Sequence, residues 1–222
     1  MVETNSATAL IADSATMNGR MTECYGKIKE YGFYYGTDST TPHKFVVGVD
    51  EYVEKSFSKT VSGLKPGVYY YKAFATNNSD TGYGPIMKFI IKPAGVNDDI
   101  IVNLDGEFLT FDVQPVIFDG RTLAPIRAIC EALGASVRWS GETRTVTIVK
   151  DGTEIKLVID GDAYINNQLV SIDVPPRIIN DRTLVPVRFI SESMGCAVDW
   201  DNDARAVIIT SYDEAAKHVQ SD

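Results

Sequence analysis

Asp199, Asp201 and Asp203 alternate through DWDNDARAV, the spacing of the first three ligands of a calcium-binding loop. The remainder of such a loop is missing. Ala204 stands where the sharp turn needs Gly, and Thr210 where a bidentate Glu would complete the shell. The stretch is therefore expected to be an acidic hairpin turn. A Ser or Cys nucleophile needs an imidazole beside it. The chain carries only His43 and His218, and nothing in the sequence brings either to a nucleophile. No glycine-rich phosphate loop and no Cys/His metal spacing occurs. These residues point away from an enzyme, and no catalytic residue, metal or cofactor is expected.

Two other sets have the chemistry of binding. Arg121 and Arg127 recur as Arg182 and Arg188. They could form a site for an anionic ligand such as a cell-wall polymer. Because the set occurs twice, each arginine is expected to bond carboxylates or carbonyls in its own half, such as Asp112 and Asp173. The first ninety residues are rich in tyrosine, which can stack on sugars or on a protein partner. Most of these rings are expected to fill a core. Trp139 and Trp200, in phase with Val137 and Val198, are expected in the core too. The candidate ligand contacts are Tyr34, Tyr70, Phe74, Arg121 and Arg182.

The elements that must position these residues come from a repeat. GRTLAPIRAICEALG at 120–134 returns as DRTLVPVRFISESMG at 181–195. A gapless alignment of 115–149 with 176–210 has 15 identities in 35 positions, an internal duplication. Pro125 and Pro186 suit the first turn of a helix. Ile126, Ile129 and Leu133, matched by Val187, Ile190 and Met194, form a core-facing stripe at i, i+3 and i+7. Gly134 and Gly195 follow as C′ residues. Val137/Trp139 should then pair with Val146/Ile148, and Val198/Trp200 with Val207/Ile209, as hairpins. Upstream, VNLDGEFLTFDV and YINNQLVSIDV align on the turn dipeptides Asp-Gly and Asn-Asn. Each copy, about 101–149 and 162–210, reads as hairpin, helix, hairpin. Too little apolar area lies in one copy, so the two should pack as one α+β domain over 99–212.

Charge separates this region from the one before it. Residues 1–95 carry 10 Lys/Arg against 9 Asp/Glu, and the remainder 11 against 21. KPAGVNDD lies at the change, so 94–98 is read as a linker and 213–222 as a tail. The net charge of −9 argues against nucleic acid. No apolar run is long enough for a membrane span, and no export signal is visible at the start. The three cysteines, Cys24, Cys130 and Cys196, are expected to be buried thiols; a Cys130–Cys196 bridge is the alternative.

Within 1–93, short strands and turns follow the rhythm of an antiparallel sandwich. Tyr31, Phe33 and Tyr35, with Ile28, supply one face of IKEYGFYYG. Tyr69, Tyr71, Ala73 and Ala75 alternate with Tyr70, Lys72 and Phe74, and the Tyr69 set should face inward. GLKPGVYYYKAFATNNSDTGYGP and EYGFYYG resemble the F-strand region and C strand of a fibronectin type III domain, over about 2–92. The resemblance implies an immunoglobulin-like all-β sandwich for binding or spacing. It makes Tyr69 the corner tyrosine; one residue is missing before it, which leaves Tyr70 as the alternative.

INNQLVSIDVPPRIINDRTLVPVRFISESMGCAVDWDNDARAVIIT resembles the copper amine oxidase N-terminal-like family, over about 98–212 with both R-T-L-x-P-[IV]-R motifs. That family is known as a stalk domain of bacterial surface proteins. Copper in an amine oxidase needs several imidazoles, and its cofactor tyrosine lies in Asn-Tyr-Asp/Glu. Two histidines and an SYD at 211–213 do not supply them. The resemblances together imply a non-catalytic extracellular or cell-wall module, a stalk, spacer or adhesion unit, or alternatively a carbohydrate- or cell-wall-binding module. Its partners would be a cell-wall or plant polysaccharide or a surface protein. The missing export signal then implies a truncated chain.

Overall fold

The structure is a computed structural model and describes residues 1–22, 27–38, 40–41, 43–51, 55–96 and 99–211. The chain is mostly β and divides into two compact units, the first holding the described residues up to Val96 and the second those from 99 onward. Cys24, His218 and the tail 213–222 lie outside the described residues.

The first unit holds β1 (Val2–Ile11), β2 (Ser14–Met21), β3 (Ile28–Gly36), β4 (His43–Glu51), β5 (Lys55–Val61), β6 (Gly67–Thr76), β7 (Thr81–Tyr83) and β8 (Met87–Ile91). They form two sheets, β1-β2-β5 and β4-β3-β6-β7, with β8 also paired to β6. Residues from both sheets close one core: Met17 and Phe57 from the first, Tyr31, Phe33 and Tyr71 from the second. Tyr31 meets Phe57 edge-on at 5.0 Å. The alternation along β6 buries Tyr69, Tyr71, Ala73 and Ala75, because successive side chains leave a strand on opposite faces. The Tyr69 hydroxyl donates to the Lys65 carbonyl at 3.0 Å, tying β6 to the turn before it. Where β3 pairs with β4 the register shifts after Tyr31. Gly32 is required there: a Cβ would lie 1.9 Å from the Phe45 carbonyl oxygen.

The second unit begins with β9 (Ile101–Leu104), β10 (Glu107–Phe108), β11 (Val116–Phe118), β12 (Arg121–Pro125), α1 (Ile126–Ala132), β13 (Ser136–Ser140) and β14 (Thr145–Lys150). It continues through β15 (Thr153–Val158), β16 (Ala163–Ile165), β17 (Gln168–Val170), β18 (Arg177–Ile179), β19 (Arg182–Pro186), α2 (Val187–Ser193), β20 (Ala197–Asp201) and β21 (Ala206–Thr210). Both helices are two turns long, start directly from a strand, and take Pro125 and Pro186 as N-caps. The prolines therefore sit one residue earlier than the first turn, where their missing N–H breaks no helical bond. At the other end Gly134 and Gly195 adopt φ of +76° and +79°. The Ala135 N–H reaches the Cys130 carbonyl and the Cys196 N–H the Ser191 carbonyl, closing a Schellman turn in each helix. Asp105-Gly106 and Asn166-Asn167 have positive φ throughout, the backbone of tight two-residue hairpin turns.

The strands interleave. β9 and β10 do not join β13 and β14, which follow them in the chain. They pair with β21 and β20 in the order β10-β9-β21-β20, with β9 parallel to β21. β16 and β17 instead join β13-β14-β15. A third sheet, β11-β12-β19-β18, lies across a pseudo-two-fold axis: Leu123 faces Pro186, Ala124 faces Val185 and Pro125 faces Leu184. Ile126, Ile129, Val146 and Ile148 share one core with Val187, Ile190, Val207 and Ile209. Among the described residues no helix is long and apolar enough to cross a membrane.

Candidate functional site: two equivalent grooves

The antiparallel pairing of β12 with β19 decides where the repeated arginines go. Arg121 meets Asp173 at 2.7 Å, and Arg182 meets Asp112 at 2.5 Å. For Arg121 and Arg182 the expectation of a carboxylate in the same half is corrected, whereas Arg127 and Arg188 do pair within their own halves. Asp112 and Asp173 are the right partners, and they are exchanged, because the two-fold axis places the start of each central strand beside the loop of the other copy. The Nε of each arginine donates to the same carboxylate, and Nη1 to the carbonyl of the residue before it. The Arg182 guanidinium holds the Asp112 carboxyl below the ordinary carboxylate range. Arg127 and Arg188 lie on the helices, 3.9 Å from Glu131 and 3.3 Å from Glu192. Arg188 also donates to the Val198 carbonyl.

Each exchanged ion pair forms one wall of a groove. The first groove, about 770 Å³, runs between Arg127, Trp139, Asp112, Arg182 and Ile178. The second, about 590 Å³, runs between the equivalent residues Arg188, Trp200, Asp173, Arg121 and Ile117. Trp139 is 46% exposed and corrects the expectation that it packs in the core; Trp200 is half-buried against it. The physical reason is position in the sheet. β13 and β20 are edge strands, so a side chain in phase with Val137 or Val198 has a neighbouring strand on one side only. Period-two spacing assigns a face, and it carries no information about whether the strand lies at an edge. Ile117 and Ile178, both largely exposed on edge strands β11 and β18, were not singled out by the sequence for the same reason.

The remaining candidates lie apart from the grooves. Tyr34 stands 5.0 Å from Phe74 and 6.1 Å from Tyr83 on the outer side of β3 and β6. Phe74 is fully buried there, with Lys44 4.9 Å above its ring and the Tyr34 ring 5.0 Å away. Lys72 lies over the Tyr83 ring at 5.1 Å. Lys44 is held by Glu30 at 2.5 Å, which raises its pKa. Tyr70 is half-buried, four residues from Phe74 on the same strand. His43 packs its ring beside Tyr35 at 5.3 Å.

Two aspartates of the second unit's last hairpin, Asp199 and Asp201, accept from its backbone. Asp199 accepts from the Trp200 N–H and Asp201 from the Ala204 N–H, each at 2.8 Å. Among the described residues no group of three or more His, Cys, Asp or Glu is placed to hold a metal ion. Cys130 and Cys196 are free thiols, both buried. Burial pushes the Cys130 thiol up to about 12 and the Cys196 thiol in the same direction.

A protein of Brevibacillus choshinensis named "Protease inhibitor" is 29% identical over 121 residues, which is 53% of this chain and 36% of that protein. The chain thus spans about a third of that relative's length. The solution structure of the sensor domain of the anti-sigma factor RsgI4 in Pseudobacteroides cellulosolvens has a TM-score of 0.35 and 18% identity. The alignment covers 45% of this chain and 80% of that one. The family model described as "Copper amine oxidase N-terminal domain", a non-catalytic domain, matches residues 103–209. A copper amine oxidase N-terminal-like domain therefore occupies residues 103–209, the stretch that holds both grooves.

Proposed function

We propose that the chain is a non-catalytic extracellular module of a bacterial surface protein, serving as a structural stalk or spacer or as an adhesion unit. The observation that carries this reading is the interleaved second unit. Its halves exchange both strands and ion pairs, Arg121 and Arg182 are held by the carboxylate of the other copy, and Asp199 and Asp201 accept from the backbone. That arrangement suits a rigid spacer. The family match to an N-terminal domain of a larger protein supports the same assignment. The first unit is read as a fibronectin type III-like sandwich over 1–93 and the second as a paired hairpin-helix-hairpin repeat over 99–212, joined through 94–98. Two sheets around one core and the bond from Tyr69 to Lys65 support the former. Helices and hairpins at matching positions support the latter.

Intact cells of the source organism provide the test. Brief proteolytic shaving should release peptides from 103–209 before any cytoplasmic marker appears. Release only after lysis would overturn the extracellular assignment. A copper-supplemented amine oxidation assay should stay at background. A second reading, a carbohydrate- or cell-wall-binding module, is favoured by the exposed Trp139 in its groove. The relative's name adds a competing outcome: inhibition of a protease panel by the purified chain would replace the adhesion role with an inhibitory one.

A further inference from the structure

We propose that the groove at Trp139 binds an uncharged, equatorially substituted pyranose chain, with the groove at Trp200 as a weaker counterpart. This rests on the carbohydrate-binding reading and names its site and ligand class. The first observation is an exposed indole beside polar walls. Trp139 leaves nearly half its surface open. A pyranose whose hydroxyls are equatorial has a flat face of C–H groups, which stacks on such a ring and leaves the hydroxyls pointing outward to the walls.

The second observation is charge. An anionic ligand would need arginines with charge to spare. Arg182 already holds Asp112 at 2.5 Å, and Arg121 holds Asp173 at 2.7 Å. The first groove adds Arg127 and, against it, Glu131 and Asp181. Its cations are thus balanced or outnumbered by carboxylates, and an acidic polymer would meet repulsion as well as attraction. A neutral polyol meets fixed donors and fixed acceptors side by side, which is what hydroxyl groups require. At about 770 Å³ the groove also has the size of an ordinary small-ligand site. The smaller second groove, with Trp200 half-buried, offers less of its ring.

The chain's two tryptophans, Trp139 and Trp200, line one groove each, so fluorescence reports both sites directly. Cellohexaose, xylohexaose and chitohexaose would be titrated against the full chain, with polygalacturonate as the anionic control. At least one neutral oligosaccharide should shift the emission, and the shift should survive in Trp200→Phe. Raising the salt about tenfold should leave that affinity unchanged. Trp139→Ala should weaken binding roughly tenfold or more, read by calorimetry. Arg127→Ala, at a side chain 67% exposed, should weaken it without altering the melting temperature. Binding that persists undiminished in the Trp139→Ala/Trp200→Ala double variant would overturn the groove assignment while the carbohydrate reading stood. A preference for polygalacturonate that collapses with salt would overturn the uncharged ligand. Binding to none of the polymers would overturn both readings.

Discussion

Replacing Ile129 by Ala should destabilise the whole second unit. Ile129 is fully buried in α1, and its core draws on both halves of the unit, including Val185, Val187, Ile190 and Ile209. The substitution removes three carbons. At about 0.8 kcal/mol per buried methylene, the lost transfer energy alone is about 2.4 kcal/mol. A cavity term adds to this, because a two-turn helix closed by a Schellman turn and started by a proline has little freedom to collapse inward. The expected cost is about 3 kcal/mol, within the usual range of about 2–5 for a buried Ile or Leu to Ala. Tryptophan emission during urea unfolding of the full chain is the assay, since both tryptophans lie in this unit. The midpoint should fall with the slope unchanged. Ile190→Ala, at the equivalent fully buried site, should behave alike. Because one core joins the halves, each variant should show a single transition. Two transitions, each moved by only one of the substitutions, would show that the halves unfold separately and refute the shared-core argument. A cost below about 1 kcal/mol for both would refute the cavity argument.

Three more outcomes can be stated. Ser191 is fully buried, and among the described residues its hydroxyl has no hydrogen-bond partner, while Cys130 fills the equivalent place; Ser191→Ala should raise stability by about 1 kcal/mol in the same urea assay, the desolvation of an unpaired hydroxyl being relieved. Arg182 lowers the Asp112 pKa, so this pair supports the fold above the unfolded aspartate value of about 3.9, and the support is lost as pH falls through the lower folded value. Asp112→Asn should therefore flatten the melting-temperature profile below about pH 4, and an unchanged profile would count against the exchanged pair. Cys130 and Cys196, buried and with raised thiol pKa values, should resist alkylation at mildly alkaline pH until urea unfolds the chain, as read by peptide mass mapping.

Much of the local structure was legible in the residues. Asp105-Gly106 and Asn166-Asn167 announce tight turns, Gly134 and Gly195 the ends of two short helices, and the Ile126 and Val187 stripes their buried faces. Each depends on neighbours a few positions away, through φ preference and side-chain period, and a linear chain records such neighbours directly. The alternation that buries Tyr69, Tyr71 and Ala73 belongs to the same class.

What the tertiary structure alone decided is which half meets which. The duplication shows that Arg121 and Arg182 are equivalent, and it is silent on whether Asp112 or Asp173 answers Arg121. The antiparallel β12–β19 pairing settles it by putting a two-fold axis between the copies. The same axis and the parallel β9–β21 pairing carry the first hairpin to the far end of the chain. Burial followed the same rule. Trp139 and Phe74 both sit in alternating patterns, yet Trp139 is exposed on an edge strand and Phe74 is covered by Lys44 and Tyr34. A period of two names the face of a strand. Only the neighbouring strands, brought from tens of residues away, determine whether that face meets protein or water.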